Sequence, residues 1–327
     1  GSTATHTGGT EIQAGTFAIY SSGQMPLTGD VFVNTGATWD LNFFNDGSKT
    51  RTIDELSGGG KITVGTADNA TVDPNRIATL VVGNGNGSST FSGLIEDGKG
   101  KIALTKTGTG TFTLSGDNTY TGTTTIQAGK LLLMGTHAPA PTPGLYTVGV
   151  GGLLGGTGTT NASVLVQGTI APGASVGTIN TGSQTWAPGG TYQWEIQDVD
   201  AGPGTGWDLV NITGTLDITA TAAQPFVIDV VSLGAGGLVG DFDPLSVYSW
   251  EIARTSGGVT GFAPEKFLVD LDNFQNYWHG GRWWVSLGNQ GNSVYLNYAI
   301  PEPSSGLLAL VALAGWGLWV VRRRICG

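Results

Sequence analysis

LTKTGTGTFTLSGDNTYTGTTTIQAGKL, residues Leu104 to Leu131, is the stretch from which the fold is read. Ile102 and Leu104, Phe112 and Leu114, and Ile126 and Ala128 alternate with polar residues. That period of two leaves one face of a strand buried. Gly108, Gly110, Gly116-Asp117-Asn118 and Gly129 punctuate the runs as turns, and Leu131 with Leu133 opens the next strand. Short, evenly spaced strands suit a sandwich, a barrel or a solenoid. Repetition of threonine-rich strands favours the solenoid, in which each coil covers its neighbour's edges.

Working outward, TGGTEIQAGTF (Thr7–Phe17) matches TGTTTIQAGKL (Thr121–Leu131) at seven of eleven positions, 114 residues apart. The second copy is preceded by LTKTGTGTFTLSGDNTY and the first is not, so the chain is expected to begin inside a repeat. The unit resembles the autotransporter-associated β-strand repeat. Looser copies stand at Leu56–Gly65 and Phe91–Gly108, and Gly36–Gly58 looks like the stretch that links such repeats. The resemblance covers about residues 7–180 and implies a right-handed parallel β-helix, expected over residues 1–185. HAPAPTPG (His137–Gly144) is expected to leave the helix as an exposed loop.

Composition agrees with an all-β chain. Glycine supplies 56 of 327 residues, 39% are hydrophobic and 12% charged, and no long amphipathic helix precedes the last twenty residues. The formal charge is -10 and no basic stripe exists, which argues against nucleic acid and anionic lipid as partners. Cys326 is the single cysteine, and His6, His137 and His279 show no ligand spacing, so neither a metal nor another cofactor is expected. Polysaccharide lyases and hydrolases need clustered carboxylates, yet residues 104–180 hold one acid, Asp117, in a turn. No catalytic residue is assigned and the chain is expected not to be an enzyme. Lys101, Lys106 and Lys130 read as edge lysines that discourage strand addition.

From Thr191 onward aromatics and acids rise. TYQWEI (Thr191–Ile196), DLVNITGTLDI (Asp208–Ile218), PFVIDVV (Pro225–Val231), YSWEIA (Tyr248–Ala253), RWWVSL (Arg282–Leu287) and SVYLNY (Ser293–Tyr298) suit an antiparallel cap or small sandwich over residues 186–300. Three Asp-x-Asp pairs occur, Asp198/Asp200, Asp241/Asp243 and Asp270/Asp272. The first opens a glycine-rich loop ending at Asp208 that offers carboxylate and backbone oxygens to calcium, or else is a solvated turn. Trp278, Arg282, Trp283 and Trp284 form a cluster able to stack sugar rings, although Trp283 and Trp284 must face opposite sides of one strand. Trp186, Trp194, Trp207 and Trp250 add to the aromatic content.

The C-terminus reads PEPSSGLLALVALAGWGLWVVRRRICG. Gly306 to Val321 is an uncharged run of 16 residues, about 24 Å as a helix, followed at once by Arg322, Arg323 and Arg324. Arginines at that position orient the tail to the cytoplasm and residues 1–300 outside, with Trp316 and Trp319 suited to an interface. Pro301-Glu302-Pro303 precedes the run and favours an extended, protease-accessible backbone. This tail over residues 301–327 resembles the PEP-CTERM sorting signal of Gram-negative bacteria. The resemblance implies export, transient retention in the inner membrane and processing by an exosortase. It places the chain at the cell surface or in the extracellular matrix, with extracellular polysaccharide as the expected setting. A carbohydrate-binding adhesin built on the aromatic C-terminal region is the second expectation, and a polysaccharide-active enzyme the third.

Overall fold

The computed structural model describes residues 8–18, 29–41, 49–65, 73, 75–138 and 144–300. There the chain coils through three parallel ladders and, from Lys49 onward, visits them in the same order. The first ladder starts at Thr10–Ile12 and Val31–Val33, passes Ser89–Phe91, Thr111–Leu114 and Thr169–Pro172, and ends at Phe267–Asp270. The second runs from Lys49–Ile53 through Ile77–Val82, Lys101–Lys106 and Val164–Val166 to Leu216–Ile218 and Val259–Thr260. Thr124–Leu133 and Tyr146–Gly156 each bend from the second ladder into the first. The third ladder holds Thr16–Ala18, Thr38–Asp40, Lys61–Thr63 and Leu94–Ile95, then Thr136–His137, Thr159–Thr160, Thr178–Thr181, Leu209–Ile212 and Tyr248–Thr255. The described chain is thus a three-faced parallel β-solenoid, as the repeats imply.

The repeated sequence encodes a corner, not a face. In both copies the chain passes from one ladder to another around a glycine with positive φ, Gly15 (72°) between two short strands or Gly129 (66°) within the bent strand Thr124–Leu133. Glycine takes that backbone region without steric penalty. The early copy turns from the first ladder into the third, whereas the late copy turns from the second into the first. The same eleven residues therefore stand one face apart in the stack.

Other corners need glycine for proximity. A Cβ on Gly93 would overlap the Gly60 carbonyl oxygen, one on Gly116 that of Gly93, one on Gly135 that of Gly116, and one on Gly158 that of Gly135. Five coils thus stack backbone on backbone along one edge. Polar side chains stitch the corners elsewhere. Asp54 accepts the Gly85 and Gly87 N–H groups (2.8 and 3.0 Å), Asn86 accepts Thr109 N–H (2.9 Å), and Ser88 accepts Thr111 N–H (2.9 Å).

Where the third ladder lacks a strand, Asn118 replaces one. Its backbone pairs with His137, while its side-chain oxygen accepts Ile95 N–H at 2.9 Å. Above it lies a buried polar cluster. His137 is fully buried and stacked on Tyr120, with ring centroids 4.0 Å apart. Its Nε2 lies 2.8 Å from the Tyr120 carbonyl and its Nδ1 2.7 Å from the Tyr146 hydroxyl, while the Tyr120 hydroxyl meets Thr124 at 2.7 Å. The arrangement suits the neutral tautomer that donates from Nε2 and accepts at Nδ1. Burial pushes the imidazole down to about 4, against the Tyr120 carbonyl and Asp97, which favour the charged form. His137 therefore belongs to the interior and not to the exposed loop expected from His137 to Gly144; residues 139–143 lie outside the described residues.

Lys106 corrects another expectation. It is fully buried, with Nζ directed to the carbonyls of Thr107, Gly108 and Ala128. Desolvation lowers its pKa and Asp54 raises it. The lysine of the TKTGTG run thus ties its own corner to the next coil and guards no edge.

The strands expected as an antiparallel cap over residues 186–300 are mostly parallel rungs. Gln184–Trp186, Thr191–Ile196, Leu209–Ile212, Leu216–Ile218, Phe226–Ser232 and Phe267–Asp270 all continue the three ladders. A rung with one buried side alternates with period two just as a half-buried antiparallel strand does, so periodicity cannot set direction. Among the described strands, antiparallel ladders stand only at the end, where Ser293–Ala299 joins Tyr248–Thr255 and Arg282–Gly288 joins Ser293–Ala299; elsewhere the isolated bridges Gly156–Gly173 and Ile196–Trp207 are antiparallel. One hydrophobic core runs from Ile12 to Tyr298. From Trp186 onward it turns aromatic: Trp186 stacks on Phe226 at 4.5 Å, and the indole N–H groups of Trp186, Trp194 and Trp207 donate to Gln184, Asp208 and Glu251 oxygens. Among the described residues no helix is long and apolar enough to cross a membrane. The expected span, Gly306–Val321, lies outside them.

Two outcomes follow from the stacking. Gly116→Ala, whose methyl would strike a backbone carbonyl with no rotamer to escape, should lower stability by about 3 kcal/mol. Gly8→Ala, with nothing within 4 Å of the added carbon, should change little; equal urea midpoints for the two would contradict the column. The second concerns His137. The unfolded chain takes up its proton near pH 6.5 and the folded chain near 4. Stability should therefore fall as pH drops through that window, by at most about 1.4 kcal/mol per pH unit. His137→Asn should flatten the dependence, and parallel curves for the two proteins would count against the buried neutral imidazole.

Candidate functional site

Chemistry-bearing side chains gather at the C-terminal end, where the solenoid closes. Phe267–Asp270 is the last rung of its ladder, held through Phe226–Ser232 on one side only among the described residues. Residues 271–281 then cross to Arg282–Gly288, the outer strand of the antiparallel end. Between the two lies a cleft of about 530 Å3 lined by Glu265, Leu268, Trp278, Arg282, Trp283 and Trp284, among others. Its volume falls within the range of small-ligand sites, about 300–1,000 Å3.

The back of the cleft is rigid. Trp283 turns inward and packs on Phe274 (5.1 Å), Tyr298 (5.0 Å) and Trp250 (5.5 Å). Phe242 joins the same group against Tyr248 and Phe274. The Tyr298 hydroxyl reaches the carbonyls of Trp278 (2.8 Å) and Pro244 (2.7 Å), which fixes the loop bearing Trp278. That loop needs its Gly280-Gly281 pair. Gly280 has a φ of 67°, and a Cβ on Gly281 would run into the Tyr298 ring. His279, at φ 50°, points outward with Tyr277, the two rings 4.6 Å apart.

Two residues along the strand, Arg282 and Trp284 share the side opposite Trp283. The Arg282 guanidinium lies over the Trp284 ring, 5.6 Å from its centre. Neither Arg282 nor Glu265 has an ion-pair partner among the described residues, although both line the cleft. The cleft therefore presents one aromatic face, one free cation and one free anion. All four residues expected as sugar contacts meet here, with Trp283 serving as wall. Glu265 and Leu268 were missed: Glu265 lies in the 3-10 turn Pro264–Lys266 and Leu268 in the strand that follows it, a stretch with no motif that only the coil brings near. Trp186, Trp194, Trp207 and Trp250 are core residues.

The aspartates do not converge. Asp198 accepts the N–H of Asp200 (2.8 Å) within its own turn, Asp243 accepts that of Leu245 (2.9 Å), and Asp270 that of Asp272 (3.0 Å). Asp208 points inward, taking the N–H groups of Gly177 (2.7 Å) and Glu195 (3.1 Å). Burial pushes its carboxyl up to about 9, opposed by those two donors. Among the described residues no three acidic, histidine or cysteine side chains are grouped to hold a metal ion. A second depression of about 790 Å3 runs over the glycine corners at Gly36, Gly59, Gly60 and Gly93. Its one cation, Lys61, is already paired with Glu96 at 3.1 Å. Pro301, Glu302, Pro303, Arg322, Arg323 and Arg324 lie outside the described residues.

Known proteins share the repeat. A family model described as a passenger-associated-transport-repeat matches residues 1–19 and 104–133, the two copies from which the fold was read. The chain is 33% identical over 187 residues to an adhesin autotransporter, BmaC, of Brucella suis biovar 1 (strain 1330). That stretch is 50% of this chain and 5% of the adhesin. It is also 34% identical over 111 residues to an extracellular serine protease of Serratia marcescens, covering 33% of this chain and 10% of the protease. The chain thus spans a small part of either relative.

Proposed function

We propose that this chain is a non-enzymatic, adhesin-like protein displayed outside the cell. Its tail would act as a PEP-CTERM sorting signal. Arg322–Arg324 would hold the C-terminus in the cytoplasm, the run Gly306–Val321 would anchor the chain transiently in the inner membrane, and an exosortase would process it at Pro301-Glu302-Pro303. The body would then reach the cell surface or the extracellular matrix. The right-handed coil implied by the repeat belongs to this reading and accords with the hand that parallel crossovers prefer.

The observation that carries the non-enzymatic reading is where the charged and polar groups go. Lys106, Asp54, Asp97 and Asp208 are taken up as links between coils, bonded to backbone groups of neighbouring turns. His137 is enclosed between two tyrosines. Among the described residues Arg282 and Glu265 stay free at the C-terminal cleft, but they supply one carboxylate where glycoside hydrolysis uses a pair. Similarity to an adhesin autotransporter supports surface display, and the match to the protease covers too little of it to carry a reaction.

Mass spectrometry of the protein recovered from the surface of its own cells tests the sorting. The mature C-terminus should fall near Pro301–Pro303, without Arg322–Arg324. Intact arginines on surface-localised protein would overturn the exosortase step.

A further inference from the structure

We infer that the C-terminal cleft is a binding site for a neutral glycan, with Trp284 as the stacking platform and Arg282 and Glu265 as polar contacts. Three observations converge on this. The indole of Trp284 is held against the guanidinium of Arg282, so ring and donor are arranged together before a ligand arrives. The loop carrying Trp278 is fixed by Tyr298 and by its Gly280-Gly281 turn, so little ordering remains to oppose binding. Finally, Arg282 and Glu265 line one cleft without pairing to each other or to any other charge among the described residues.

A sugar ring matches that set. Its C–H face lies against an indole, while hydroxyls at its edge both accept from the planar guanidinium and donate to a carboxylate. An acidic glycan fits less well. Its carboxylates would meet Glu265 and a chain with a formal charge of -10, with one arginine to offset them. An extended peptide is the other candidate occupant, because the outer edge of Phe267–Asp270 has no strand partner among the described residues. Strand addition would not account for the two unpaired charges or for the stacked Trp284, and the glycan does.

This inference goes beyond the sorting reading and does not depend on it. Binding is measured on the purified full chain, so its failure would leave export untouched. The probes are two neutral glucans (dextran and laminarin), the polyuronate alginate, and a valine- and threonine-rich peptide. Affinity electrophoresis supplies the dissociation constants. At least one neutral glucan should retard the wild-type chain. Trp284→Ala and Arg282→Ala should each weaken that binding about tenfold, and Glu265→Gln about threefold, with melting temperatures unchanged because all three side chains lie outside the core. Trp283→Ala is expected to lower the melting temperature as well, which separates wall from platform. Absence of binding to both glucans would overturn the proposal, as would wild-type affinity in the folded Trp284 and Arg282 variants. Tighter binding of alginate would overturn the neutral class, and binding of the peptide alone would assign the cleft to strand addition.

Discussion

Close approach of one coil's backbone to the next is the constraint on which the rest of this molecule depends. Parallel rungs sit about 4.8 Å apart, and their corners must keep that spacing although a corner has no ladder to enforce it. Along the edge from Gly60 to Gly158 the spacing holds because a carbonyl occupies the place where each Cβ would be. Once the corners are locked, side chains on the inner faces fall into columns, Leu80 beside Leu104 and Leu131 beside Leu154. The abundance of glycine is thus a packing requirement, in a chain whose composition would otherwise pass for a flexible linker.

Polar groups inside the stack follow the same logic. A corner leaves N–H and carbonyl groups without ladder partners, and buried ones must be satisfied. Asp54, Asn86, Asn118, Asp208 and Lys106 each supply the missing partner from an adjacent coil. The tyrosine–histidine cluster does so for the Tyr120 carbonyl. These residues resemble catalytic ones in type and differ in exposure and direction.

Much of the architecture was legible in Leu104–Leu131, because period-two alternation cut by glycines leaves few alternatives once a copy recurs elsewhere. Strand direction beyond Thr191 was not legible. The buried face of Phe226–Ser232 alternates identically whether its neighbour runs parallel or antiparallel, and direction is decided by a connection that wraps around a core. The role of Lys106 was hidden for a related reason: its three carbonyl partners include Ala128 in the following coil. The aromatic half of the cleft could be read from adjacent residues, Trp278 to Trp284, and alternation separated Trp283 from Trp284. Glu265 could not, since the coil and not the chain makes it a neighbour.

Asn118 carries a consequence of another kind. In a parallel solenoid a pull along the stack is resisted by hydrogen bonds loaded in parallel across its three faces. On the third face, four strands on one side and seven on the other meet at this residue. There the join is made by Ile95 N–H to the Asn118 side chain and Thr119 N–H to the Ile95 carbonyl, with Asp97 accepting the Thr121 N–H beside them. A strand shares force along its length, whereas a single carboxamide concentrates it. The stack is therefore continuous through this coil on its other two faces, while on the third a carboxamide takes the place of a strand.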